Sequence, residues 1–221
     1  MNHKLKLLIN ESFPNVAFIS YVLDLRKCLD GCRTVIDIGC GPSSPLRFVD
    51  IRHSVGLDGF EPNLVEARKI GTHNEYVLSD VRELADKFGG RRFDCCLALD
   101  VLEHLSKPEG YKFLSDMEQL ASERVVVFTP NGFMPQGELR GNELERHLSG
   151  WEASELQALG YRVSGVYGWK IFRGETHNLR FRPKVLWGLL SILTKYFFTR
   201  YHAECDAALL AVKVIGKKGK G

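Results

Sequence analysis

Thr34-Val-Ile-Asp37-Ile-Gly39-Cys-Gly41-Pro-Ser-Ser44 constrains the fold more than any other stretch. Thr34 to Asp37, with Ile38 behind them, have strand character, and glycines follow at alternate positions. Gly39 and Gly41 can take backbone angles closed to other residues and let the chain pass close to a ligand with no Cβ in the way. A helix-compatible segment comes next, so the stretch predicts a strand, a tight turn and a helix start with unpaired N–H groups. A cofactor fits at such a turn.

Folds that bind NAD or flavin use a glycine turn too, and context separates them. Pyrophosphate binders carry G-x-G-x-x-G with no carboxylate at the strand tip. Here Ser44 stands at the last glycine position and Asp37 precedes the loop. Asp37 would repel a pyrophosphate but suits an ammonium or sulfonium, which disfavours a nicotinamide-dependent oxidoreductase. The stretch resembles the first motif of the class I S-adenosylmethionine-dependent methyltransferases, D/E-x-G-x-G-x-G, with Ser43 in place of the third glycine.

The next two strand patterns each end in an acid. His53 to Asp58 places Asp58 nineteen residues after Gly39, the interval expected between a glycine turn and the acid that accepts from both ribose hydroxyls. The competing role is an N-cap for the helix around Asn63 to Ile70. Glu75 to Asp80 is the third strand, followed by Val81. In the resembled family the matching acid accepts from the adenine amino group and the next backbone N–H meets the ring, which Asp80 and Val81 fit. Asp80 also suits a cap for a helix from Val81 to Phe88.

Phe93-Asp-Cys-Cys-Leu-Ala-Leu-Asp100-Val-Leu-Glu103-His104-Leu begins as an apolar run suited to a strand buried on both faces of a parallel sheet. It resembles the F-D-x-V-x-x-x-x-V-L-E-H-L signature of the type 11 methyltransferases, the branch that includes ubiquinone and menaquinone biosynthesis enzymes. The resemblance covers residues 30 to 130 and extends weakly to 168. If the turn after the strand is helical, Asp100, Glu103 and His104 share one face. Three roles compete: His104 as a general base, a divalent ion held by the three, or a hydrogen-bond network bracing the cofactor's floor. Bracing is the preferred reading, and no metal site is assigned.

Downstream, Tyr111 to Leu120 reads as an amphipathic helix and Arg124 to Thr129 as a fifth strand. A turn-rich loop, Asn131 to Gly137, then lies at the mouth, where active-site residues collect. This is not the N/D-P-P-Y/F motif of enzymes that methylate amino groups of DNA and glutamine. His147-Leu-Ser-Gly-Trp151 resembles the His-x-x-x-Trp/Phe of related small-molecule enzymes, making His147 a second base candidate facing the acceptor, or a brace for the loop. Helix Glu152 to Leu159 and strand Tyr161 to Tyr167 follow.

The chain reads as one methyltransferase domain over residues 1–221, with a preceding helix over 13–30 and an insertion or lid over 168–205. The insertion is too long for an unstructured loop. Within it Val185 to Tyr201 is apolar, Lys195 interrupts the run before it reaches membrane-spanning length, and no acid occurs from Thr176 to Ala203. An interfacial helix touching a membrane, a lid over an apolar acceptor, a homodimer contact and a helix packed on the sheet all remain open. Ala207 to Ile215 closes as the last strand, and the basic run from Lys217 reads as a frayed tail.

Charge bears on partners. Residues 176–221 carry nine Lys/Arg against two acids, +7, so the remainder of a chain of net charge +3 is −4. A negative body argues against a nucleic-acid partner. The six cysteines form no C-x-x-C pair, and the apolar run near the N-terminus is too short for a signal peptide, so the expectation is buried reduced thiols in a cytoplasmic protein.

The resemblance implies an α/β, doubly wound sheet of seven strands with the last antiparallel, and S-adenosylmethionine at the strands' C-terminal edge. Asp37, Gly39, Cys40 and Gly41 would hold the methionine end, Asp58 and Gly59 the ribose, Asp80 and Val81 the adenine, with Asp100 beside them. The implied activity is methyl transfer to a small-molecule or lipid-like acceptor, apolar or acidic in character. A binding protein without transferase activity is the alternative.

Overall fold

A computed structural model describes residues 3–12, 15–139, 141–173 and 179–216. The helix expected over 13–30 is α2 (Val16–Cys28), with residues 13 and 14 outside the described set, as is the basic run from Lys217. Seven strands build the sheet: β1 (Thr34–Ile38), β2 (His53–Asp58), β3 (Glu75–Leu78), β4 (Phe93–Leu99), β5 (Ala121–Pro130), β6 (Arg162–Gly165) and β7 (Ala208–Val214). Their order is β3-β2-β1-β4-β5-β7-β6, with β7 antiparallel to β5 and β6 and the β1 to β5 pairings parallel.

Side chains alternate across the central strands, and both sets are apolar. Ile36, Ile38, Cys96 and Ala98 face a core built with α4 (Leu84–Phe88), α5 (Lys107–Leu120) and α6 (Ala153–Ala158). Val35, Cys95, Leu97 and Phe128 face a second core with Tyr21, Val22 and Leu25 of α2. Burial on both faces is why Cys95 to Leu99 of β4 reads as a continuous apolar run. The cysteines are free, and Cys32, Cys40, Cys95 and Cys96 are buried as expected, whereas Cys28 and Cys205 are partly exposed.

Two elements depart from expectation. The glycine turn is followed by a four-residue 3₁₀ turn, Pro45–Phe48, in place of a helix. Residues 39 to 52 connect β1 to the parallel β2 with that 3₁₀ turn as their one described helical element. The space is filled from the N-terminus by α1 (His3–Ser12), which sequence periodicity did not reveal. Its Leu8 is fully buried in one cluster with Leu46, Phe48 and Val49, and Glu11 pairs with Arg47.

α3 (Glu61–Ile70) follows β2. Between β6 and β7, the insertion forms α7 (Lys184–Thr194), continued by a π-helical turn over Lys195–Thr199, and it packs along α2. No described helix is long and apolar enough to cross a membrane.

Candidate functional site

The C-terminal ends of β1, β2, β3 and β4 open on a cavity of about 330 Å³. Gly39, Gly41, Asp58, Gly59, Asp80, Val81, Asp100 and His104 stand in its wall. Such crevices are where open α/β sheets bind ligands. Gly39 has φ +70, and a Cβ there would come within 2.4 Å of Val101 Cγ2, so only glycine fits. The turn is closed against β2: Cys40 N–H donates to Leu57 O and Gly41 N–H to Asp58 Oδ2, each at 2.9 Å.

Asp58 also accepts from Phe60 N at 2.8 Å and from Asn63 Nδ2. It ties the glycine turn to the start of α3 without capping the helix, whose N-cap is Phe60. Asp80 does cap, accepting from Arg82 N at the 3₁₀ turn Val81–Glu83. Arg82 further grips both carboxylate oxygens, Nη2 to Oδ2 at 2.6 Å and Nε to Oδ1 at 2.9 Å. This contact holds the Asp80 carboxyl below its ordinary range. Capping and a place in the cavity wall coexist.

Asp37 and Cys40, expected to touch the cofactor, lie beneath the turn outside the cavity wall. Ser44 Oγ donates to Asp37 Oδ2 at 2.5 Å, and His73 Nε2 is 3.4 Å from that oxygen. Burial pushes Asp37 up to about 7 and holds His73 down at about 4. The acid therefore stiffens the floor of the turn from below.

At the tip of β4, Asp100 is the sole non-glycine residue with positive φ among the described residues, at +54. Its amide donates to Phe128 O at 3.0 Å, which fixes the bend. The side chain opens onto the cavity, while surrounding protein pushes its carboxyl up by desolvation. Glu103, on the 3₁₀ turn Leu102–His104, is buried and pushed well above the carboxylate range by desolvation and by Asp100. Protonated Glu103 donates to Asp100 and accepts from Thr129 Oγ1 at 2.9 Å. The network joins Asp100 and Glu103 of the expected Asp/Glu/His set to Thr129, while His104 bonds elsewhere.

His104 donates through Nδ1 to Arg146 O at 3.2 Å. His147 donates through Nδ1 to Met134 O at 2.6 Å. Burial lowers both below the usual histidine value, so they are neutral at pH 7. The rings meet edge to face at 4.9 Å. Like Asp37 and Cys40, His147 lies outside the cavity wall: it is buried with its ring against His104, which suits the loop-bracing role and not contact with an acceptor. Trp151 anchors that loop, fully buried, with Nε1 donating to Ser149 Oγ at 2.9 Å.

Glu103, His104 and His147 each bring a ligand-type atom to within 4.8 Å of the others, a grouping that could hold a metal ion. The spacing of Glu103 and His104 alone could not show this, since His147 arrives from a distant segment. Sequence reasoning also missed the far wall. Asn142, Glu143, Leu144, Glu145, Arg146 and Leu148 line the cavity. Asn142 starts this turn by accepting from Leu144 N at 3.1 Å, and its side-chain propensity was the one available signal. Leu144 lies so close to Gly59 that a Cβ there would come within 2.8 Å of Leu144 Cδ1.

Residues 36–134 match the family model described as "Methyltransferase domain". It is 30% identical over 166 residues to the ubiquinone biosynthesis O-methyltransferase of Azorhizobium caulinodans, covering 59% of this chain and 63% of that protein. The chain thus spans less than two thirds of that relative's length. Solved structures share the fold at low identity. The DhpI–SAH complex superposes with TM-score 0.57 at 16% identity, over 92% of this chain and 85% of that one. A SAM-dependent methyltransferase from Archaeoglobus fulgidus gives 0.56 at 14% identity over 96% and 100%. The plantazolicin methyltransferase BpumL in complex with SAH gives 0.55 at 15% over 96% and 89%.

Proposed function

We propose that this chain transfers a methyl group from S-adenosylmethionine to a hydroxyl of a small, apolar acceptor. The observation that carries the reading is the pair of acids, Asp58 and Asp80, at neighbouring strand tips in the wall of one cavity beside a bare glycine turn. The residues fit the donor: Gly41 has open space where a Cβ would stand, Asp58 presents a carboxylate for a ribose diol, and Asp80 with the Val81 amide suits an adenine edge. Bound there, S-adenosylmethionine supplies an electrophilic methyl on a sulfonium whose C–S bonding pair leaves with the sulfur as a neutral thioether. The chain's residues align the partners and exclude water. His104, neutral and in the cavity wall, takes the hydroxyl proton. The oxygen acceptor follows from the name of the 30%-identical relative, an O-methyltransferase.

The Glu103, His104 and His147 grouping favours a second reading of the same site, in which these residues hold a divalent ion that orients the acceptor oxygen.

Calorimetric titration with S-adenosylhomocysteine and with NADH tests the donor. Binding of the nicotinamide and not of the thioether nucleoside would overturn the proposal. Methyl transfer to a component of a metabolite extract would separate an enzyme from a protein that only binds the donor.

A further inference from the structure

The insertion carries a surface that the cavity does not explain. In the sequence Lys195 breaks the apolar run, but in the fold it turns away from solvent, 3% exposed. It pairs with Asp24 of α2 and donates to Ser20 Oγ at 2.7 Å. The outer face is left without that cation. Along it Val185, Leu189, Leu193, Phe197 and Tyr201 follow at intervals of four, exposed by 63%, 50%, 51%, 82% and 76%. The inner side is pinned by Ser191 Oγ donating to Tyr167 O at 2.6 Å and by Trp169 N–H donating to Thr194 Oγ1 at 3.1 Å. The apolar side therefore stays outward.

We infer that this stripe docks the protein on an anionic bilayer surface. Four exposed cations, Arg180, Arg182, Lys184 and Arg200, flank it, and none is ion-paired with a described residue. No carboxylate occurs between Thr176 and Ala203. An apolar ridge with aromatic residues and a one-signed cationic rim matches acyl chains beneath anionic headgroups. A second copy fits worse, because a two-fold contact would set these rims against each other with no acid between them. The segment lies on the membrane and does not cross it, since no described helix is long and apolar enough. The inference stands on this surface alone and is independent of methyl transfer.

Flotation with phosphatidylcholine vesicles, with and without phosphatidylglycerol, tests it. The full chain should float with the anionic vesicles and release as salt is raised. The triple variant Leu189→Ser, Leu193→Ser, Phe197→Ser should lose about tenfold or more in partition. The variant with all four flanking cations changed to Gln should lose a similar factor. Every substituted side chain is exposed, and an unchanged thermal unfolding midpoint confirms that each variant is folded. Failure of the wild type to float with either vesicle overturns the inference. So does a concentration-dependent dimer, seen by sedimentation, that the triple variant splits.

Discussion

Asp37 Oδ2 and His73 Nε2 lie 3.4 Å apart, both side chains sealed from water beneath the glycine turn. Asp37, raised from 3.8 to about 7, contributes stability that is complete below pH 3.8 and lost as pH rises through 7. His73, lowered from 6.5 to about 4, contributes stability that is complete above pH 6.5 and lost as pH falls through 4. The two slopes oppose each other between those limits. The wild type should therefore show little net pH dependence from this pair, and single substitutions should expose it. Relative to wild type, Asp37→Asn should gain stability as pH rises from 4 to 7, and His73→Gln should gain as pH falls, each by at most about 4 kcal/mol. Denaturant unfolding across this range checks the two signs, and parallel profiles for both variants would refute them.

Asp58 and Asp80 differ in what already holds them. Asp58 closes the turn through Gly41 N, so Asp58→Ala removes a ligand acceptor and a structural tie together. Affinity for S-adenosylhomocysteine should fall about 10- to 100-fold, with a lower melting temperature. Arg82 grips Asp80 from a side chain that is half exposed. Arg82→Gln should change the same affinity by less than about threefold, because an exposed pair is worth little. Asp80→Ala should weaken it more. Isothermal titration of the three variants decides, and equal losses for Arg82→Gln and Asp80→Ala would assign the arginine a direct role.

Gly110 on α5 explains how the Trp151 anchor is seated. A Cβ at Gly110 would come within 2.5 Å of Trp151 Cζ2, while Lys107 Nζ covers the ring at 3.9 Å from its centroid. Gly110→Ala should destabilise by about 1–3 kcal/mol through overpacking. Trp151→Ala should cost about 3–5 kcal/mol and loosen the loop that bears His147. Urea midpoints measure both. A neutral Gly110→Ala would mean that the ring can shift without loss.

The sheet was legible because its evidence is local. Apolar runs at β1 and β4, and acids at the tips of β2 and β3, sit in short windows, and the wall of the cavity follows from where those strands end. What escaped depends on partners far along the chain. Asp37 looked like a ligand residue because nothing nearby in sequence announces His73 beneath it. Lys195 read as a break in an apolar surface until α2 supplied Asp24. The missing helix after the glycine turn has its substitute far off in sequence: α1 fills the gap with a single deeply buried leucine on an otherwise weakly patterned segment. The loop over 142–148 reached the cavity through turn geometry that no periodicity encodes.

His104 and His147 both read as base candidates and both are neutral in the fold, yet of the two only His104 borders the cavity. With an acceptor in hand, His104→Gln should lower kcat about 100-fold if it takes the hydroxyl proton. His147→Gln, one ring further back, should lower it less than about tenfold, since a residue acting through another contributes positioning. Donor affinity should be unchanged in both, because neither ring is placed against Asp58 or Asp80. The divalent-ion reading gives a different pattern: Glu103→Gln, His104→Gln and His147→Gln would fall together, and each would abolish calorimetric binding of Mn²⁺ to chelator-treated protein. Unequal histidine effects without Mn²⁺ binding leave proton removal to His104, and equal effects with binding transfer that role to the ion.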